Sequence, residues 1–312
     1  MGNRRQFLAL FPFAKALWGD SAWEDSPTFH AFFNLDFDAA IAALDAETRA
    51  QPQDPNPHNH LAYALLYRTL FRAGALNTSL ALSPASFLRK PKIPMDGADQ
   101  GRFAAALQKA KDLSWNRLQS HPRDAQAKYT LGVAELHRAN HLFLIEKQWR
   151  PALKLAGEAR RLHGEAYALN AELTDALLVP GVHDYVIGSL PALLRALGFL
   201  AGFRGDKERG LRNVAQVAAK GRRARIEANV LLALMHQREK QLEQALSLMR
   251  PLARRFPANH LYQMEVVNLL TAQKRIAEAE KEFTRLESKD YRFLSPTARE
   301  EFRQRWQAAK SG

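Results

Sequence analysis

The chain has 312 residues, an apolar share of 46%, enough for a sizeable core, and a net charge of +13. It contains no cysteine, which excludes disulfides, thiolate nucleophiles and Cys-based zinc sites but leaves the compartment open. Residues 1–100 carry 9 Lys/Arg against 10 Asp/Glu, so the basic excess belongs to residues 101–312, with 36 against 22. Its clusters are Arg222-Arg223-Arg225, Arg254-Arg255 and Arg303-Arg305. Such a half meets nucleic acid, an anionic membrane surface or an acidic partner, or forms a solvated outer face.

Residues 1–30 read as a separate N-terminal segment. Asn3-Arg4-Arg5-Gln6-Phe7-Leu8 and the apolar run to Phe13 resemble a twin-arginine export signal, which implies a periplasmic or otherwise exported protein. Lys15 shortens the apolar run, and the other reading is an amphipathic cap on the helices that follow, in a cytoplasmic protein. From Leu35 to Arg49 the residues Phe37, Ala40, Ile41 and Leu44 follow helical spacing. The prolines of Gln51–Pro57 break that pattern, and a helix resumes over His58–Phe71. Residues 74–101 read as an inserted loop with a basic centre at Arg89-Lys90-Pro91-Lys92.

A helix over Phe103–Ser120 stops at His121-Pro122, and Leu131-Gly132 follows Pro122 by the spacing that takes Pro52 to Leu61. Gly132 occupies a place where a small residue lets two helices approach, and Gly181 does so in a third unit that runs from Ala171 to Tyr185. The partner of the helix that carries Gly132 is the helical pattern at Trp149–Leu162. Beyond residue 225, Ile226–Glu239 pairs with Leu242–Arg255, and His260–Ala272 with Ile276–Glu287. Residues 291–312 read as a polar capping helix.

Ala245 and Ala279 lie 34 residues apart, Phe283 completes an A-x-x-x-F step, and Pro257 closes the unit between them. These positions carry the tetratricopeptide signature. Residues 31–290 are therefore expected to form an all-α tetratricopeptide-type solenoid, an α-α superhelix of about five helix pairs.

Residues 185–211 depart from the repeat. Ser189-Leu190-Pro191 and the later Gly202-Phe203-Arg204-Gly205-Asp206-Lys207-Glu208-Arg209-Gly210-Leu211 resemble the tetratricopeptide repeat protein 39 and inclusion-body-clearance family. The resemblance implies a helical repeat protein without enzyme chemistry. Independently, Gly202 and Gly205 suit positive backbone angles after a helix end, and Asp206 suits a helix N-cap with Glu208 in its first turn. The glycines lack the G-K-[ST] ending of a phosphate loop. Residues 186–203 are mostly apolar, but Arg195 and Pro191 argue for a buried helix rather than a membrane span.

Little in the sequence points to catalysis. His137 and His141 share a helix face ahead of Glu146, without the H-E-x-x-H pattern of a zinc site. His58 and His60 sit among prolines and are expected in a turn; His183-Asp184 lacks a nucleophile. No cofactor, metal or specific small molecule is implied. The first helix of each pair is expected to line the concave surface, which makes Asn59, Tyr63, Tyr67, Tyr129, Tyr185 and Tyr262 candidates for holding a segment of a protein partner. The same aromatics also suit the space between stacked helices. The expected function is a non-catalytic interaction scaffold; the alternative is a basic surface that binds nucleic acid or a membrane.

Overall fold

Two kinds of turn alternate along the chain and sort its helices into pairs. The computed structural model describes residues 25–76, 92–192 and 204–311. The first pair is α1 (Pro27–Phe33) and α2 (Phe37–Ala50), and the second is α3 (Pro55–Arg72) and α4 (Gly97–Ser120). The third is α5 (Ala125–Asn140), extended by a π-helical turn at His141–Ile145, and α6 (Trp149–Leu169). A 3-10 turn at Thr174–Leu177 leads into α7 (Leu178–Gly188), which pairs with α8 (Lys207–Lys220). Then come α9 (Arg225–Arg238) with α10 (Leu242–Arg255), α11 (His260–Ala272) with α12 (Ile276–Glu287), and a terminal α13 (Pro296–Ser311). Among the described residues this is an all-α helical repeat fold.

Five of the six first helices end in a left-handed residue, α7 being the exception. Leu35, Gly74, Lys147, Lys240 and Lys274 have φ between 57° and 68°. The next residue's N–H reaches back to the last turn, as from Asp36 to Ala31 O, Ala75 to Leu70 O, Gln241 to His236 O and Arg275 to Leu270 O. This is the Schellman closure, which satisfies carbonyls left over at a helix end. Lys240 and Lys274 keep the 34-residue period at this position.

Second helices give way to a different turn. In Gln51-Pro52-Gln53-Asp54, His121-Pro122-Arg123-Asp124 and Phe256-Pro257-Ala258-Asn259, the fourth residue donates its N–H to the first residue's carbonyl. Its side chain then caps the next helix: Asp54 accepts from Asn56 N, Asp124 from Ala127 N, and Asn259 from Leu261 N and Tyr262 N. The N-terminus of α9 has no such residue. There the carboxylate of Asp175, 5% exposed, accepts from the N–H groups of Arg222, Arg223 and Ala224 at 2.9–3.2 Å.

Several boundaries differ from the sequence reading. Helix α3 starts at Pro55, since Pro55 and Pro57 lie in the first turn, where a missing N–H leaves no bond unmade. His58 and His60 are therefore helical and not in a turn. Asp96 caps α4 through Ala98 N and Asp99 N, so the inserted loop ends at residue 96 and not at 101. The short α1 adds a sixth pair and begins inside the segment 1–30. The export-signal motif, Arg89-Lys90-Pro91 and Leu197–Phe203 lie outside the described residues.

Ala245 and Ala279 are fully buried, as the period requires. Phe283 stacks on Trp306 of α13 at 4.0 Å and 11°, which docks the terminal helix on the last pair. Helices α7 and α8 approach through glycines: a Cβ on Gly210 would lie 2.4 Å from Tyr185 N, and one on Gly181 3.0 Å from Val214 Cγ2. Asp206 caps α8 through Arg209 N at 2.9 Å. Gly205, however, has no positive φ. It is small because a Cβ there would meet the Ile187 Cβ at 2.6 Å.

Gly132 is the equivalent contact between α5 and α6. A Cβ on it would lie 2.5 Å from Nδ1 of His163, a ring 2% exposed and tied to the Ala159 carbonyl at 2.7 Å. Gly132→Ala is expected to destabilise the fold by about 2–3 kcal/mol. Gly164→Ala, an exposed α6 position where a Cβ would meet nothing within 4 Å, is expected to stabilise it by about 0.5–1 kcal/mol. Urea midpoints of the two variants measure the difference, and equal midpoints would contradict this helix contact.

Candidate functional site

The helical phase of α3 decides which of its residues face inward. Steps of four residues overshoot a full turn by about 40°, so Asn59, Tyr63 and Tyr67 spread over about 80° of the helix rather than share one line. Asn59 consequently points at α5, 1% exposed, with Nδ2 donating to the Thr130 carbonyl at 2.9 Å. Tyr63 and Tyr67 turn towards the inner surface and touch each other, ring centroids 4.3 Å apart.

Rings from three elements surround Tyr63. Phe32 of α1 stacks on it at 4.9 Å and 24°, and His137 of α5 at 5.1 Å and 26°. Phe32 also lies 5.6 Å from Tyr67. Burial is the first cause that raises both phenols. Tyr262 of α11 belongs to the same core face, its hydroxyl raised by burial and then by the negative charge of Glu227. That Glu227 charge also reaches Tyr63 and Tyr67. Tyr63, Tyr67, Tyr262 and Glu227 each keep part of their surface open to solvent although helices enclose them.

Tyr129 and Tyr185 do not join this group. Tyr129 is 6% exposed and packs edge-on to His163 at 5.2 Å, inside the α5–α6 contact. Tyr185 is 3% exposed, with its hydroxyl donating towards Met235 O at 3.3 Å and Glu239 at 3.1 Å; burial raises it to about 12. Asn59, Tyr129 and Tyr185 thus fasten one helix to the next, and a partner cannot reach them here.

The inner surface is not an open groove, because the two ends of the array meet across it. Asn259 Nδ2 donates to the Phe33 carbonyl at 2.7 Å, while Ala258 N–H donates to Asn34 Oδ1 at 2.9 Å. Phe33 packs on Phe256 at 5.2 Å, Arg292 pairs with Asp36 at 3.2 Å, and Arg255 pairs with Asp25. The first pair therefore closes against the α10–α11 turn. Sequence reading missed this clasp, since nothing local links Asn34 to Asn259.

The histidines are packing groups. His137 stacks on Tyr63, His141 on Phe103 at 4.8 Å, and His60 lies edge-on to Phe29 at 4.9 Å. Among the described residues no group of three His, Asp or Glu is placed to hold a metal ion. His183 lies 3.6 Å from Asp184, whose carboxylate is 4% exposed and is held by Arg209 at 2.6 Å and Arg160 at 3.8 Å. Parts of the basic clusters are engaged within the fold, Arg303 pairing with both Glu287 and Glu300. No described helix is long and apolar enough to cross a membrane.

The site is thus the inner wall of a ring of helix pairs, where the rings of Phe32, Tyr63, Tyr67 and His137 come together. No family model and no curated protein matches the chain. Among solved structures, that of yeast Tom70 is similar over 93% of this chain and 90% of its own, at 12% identity and a TM-score of 0.29.

Burial holds His137 down to about 3 and His163 and His260 down to about 4. An unfolded histidine titrates near about 6.5, so between these values the unfolded chain binds more protons. The stabilisation is complete above about pH 6.5 and is lost as the pH falls towards 4. At pH 5 each of these rings is expected to cost about 2 kcal/mol relative to neutral pH. Urea titrations at pH 7.5, 6 and 5 test this, and a flat profile would mean that the rings are solvated.

Proposed function

We propose that the chain is a non-catalytic binding protein that holds a segment of a protein partner against its inner surface. What supports this is the contact of Tyr63 and Tyr67 with each other and with Phe32 of α1 and His137 of α5, at a place where both tyrosines keep part of their surface open to solvent. Tyrosines suit such a role, since their rings add contact area at little entropic cost and their hydroxyls meet backbone groups. A helical repeat ring also holds its lining residues on rigid elements rather than on loops. The resemblance of residues 185–211 to the tetratricopeptide repeat protein 39 and inclusion-body-clearance family points to the same non-catalytic role.

A photo-crosslinking residue placed at Tyr67, compared with one at Trp115, tests the reading. Trp115 is 57% exposed and lies on α4. Crosslinks in the native host are expected from position 67 to a small set of proteins, and to be lost on Tyr63→Ala. Crosslinks from position 115 alone would refute the inner-surface reading. Recovery of nucleic acid or lipid that falls steeply with salt would move the binding to the basic outer face.

A further inference from the structure

The corner where α5 turns into α6 carries apolar surface that the fold leaves exposed. Trp149 is 51% exposed and Leu153, one turn further on the same face of α6, is 46% exposed. Arg150, Pro151 and Lys154 beside them are exposed as well. We propose that this corner seats the protein on an anionic lipid surface, with Trp149 and Leu153 entering the headgroup boundary and Arg150 and Lys154 meeting the lipids' negative charge. The corner is separate from the inner surface, and the proposal does not rest on a segment being held there.

Charge favours that occupant. Between His141 and Gly157 the chain has one acidic residue, Glu146, and Lys92 takes it up at 3.0 Å. Arg150 and Lys154 enter no ion pair among the described residues, whereas Arg303 of the C-terminal cluster is paired with Glu287 and Glu300. The Arg150 guanidinium instead lies 5.0 Å from the Trp149 ring centre. An indole suits the boundary between water and hydrocarbon, and an arginine can lay its stem along apolar surface while its charge reaches the headgroups. Surface-lying helices bind through such apolar area together with attraction to anionic lipid. Trp115 is the contrast: it is 57% exposed on α4, but exposed Asp112 lies one turn before it and would repel the same surface.

The corner is firmly held and open on its outer side, which suits a plane better than a peptide. The π-helical turn His141–Ile145 leads into it, with His141 stacked on Phe103 at 4.8 Å and the Ile145 carbonyl accepting from Ile93 N–H at 3.2 Å. Left-handed Lys147, at φ 57°, then turns the chain into α6. Gly157 continues the exposed face one turn beyond Leu153, and a Cβ there would meet nothing within 4 Å. A bound peptide needs the walls of a groove, and a bilayer surface does not.

Co-sedimentation of the intact protein with phosphatidylcholine vesicles, with and without phosphatidylglycerol, tests the proposal. Binding is expected with the anionic vesicles and should fall as salt is added. Trp149→Ser combined with Leu153→Ser is expected to weaken it by roughly tenfold or more, and Arg150→Gln combined with Lys154→Gln by a similar factor. Trp115→Ser is expected to leave it unchanged. Every substituted position is exposed, and melting temperatures equal to the parent's check that the variants fold. A photo-crosslinking residue at Leu153 supplies a second readout: it is expected to label lipid, and one at Trp115 is not. Failure to sediment with anionic vesicles, or sedimentation that survives loss of Trp149 and Leu153, would overturn the proposal. So would labelling from position 153 that goes to nucleic acid or protein while lipid stays unlabelled. Neither result decides the inner-surface reading, which crosslinks from position 67 test separately.

Discussion

The contact on which the molecule's shape depends is the exchange between two asparagines at opposite ends of the array. Asn34 accepts from the backbone beside Asn259, and Asn259 donates to the backbone beside Asn34. A helical array of this kind is ordinarily held only by neighbours, each pair touching the next. Here a separation of more than 220 residues is bridged by two hydrogen bonds, a Phe33–Phe256 contact and ion pairs at Arg292 and Arg255. The same Asn259 side chain caps α11 through its oxygen, so one residue both starts a helix and closes the ring. Phe32 lies on α1 beside Phe33 of the clasp, and it stacks on Tyr63 while also packing on Phe37 of α2.

Electrostatics follow the same division between wall and interior. Much of the outer charge is arranged in pairs across neighbouring helices, such as Arg102 with Asp45 at 2.7 Å and Lys128 with Glu165 at 2.6 Å. Exposed pairs of this kind contribute little each, about 0–1 kcal/mol, and mainly keep the surface soluble. Inside, the chain uses neutral groups: histidines held unprotonated by burial and phenols held protonated. The buried exceptions among the described residues are Asp99, Glu135, Asp175, Asp184 and Glu265; Asp99 pairs with Arg68, Glu135 with Lys111, and Asp175 and Asp184 each meet several donors.

The period of the fold was legible where it fell on small or aromatic residues. Ala245, Ala279 and Phe283 are buried at the predicted contacts, and Gly132 sits where two helices come closest. The turns were harder to read. Four of the five left-handed helix ends carry Leu or Lys, and only Gly74 has the residue that the geometry usually selects. Their conformation is imposed by the packing of the following helix, a tertiary cause with no local mark. The α9 cap was invisible for the same reason, since Asp175 lies almost fifty residues before the backbone it serves.

The inner site shows where periodicity reasoning stops. Spacing of four residues linked Asn59, Tyr63 and Tyr67, but the 40° overshoot of each step sends Asn59 into the α3–α5 contact. Tyr129 and Tyr185 fail for another reason: Tyr129 packs on its partner helix at His163, and Tyr185 reaches across to Met235 of α9, so both are taken up between helices. Glu227 could not be found by spacing at all. Its charge bears on Tyr63 and Tyr67 of α3 and on Tyr262 of α11 alike, and no local pattern joins α9 to either helix. Phe32, Tyr63 and His137 likewise come from three helices, so that the chemistry of the site is a property of their packing rather than of any repeat.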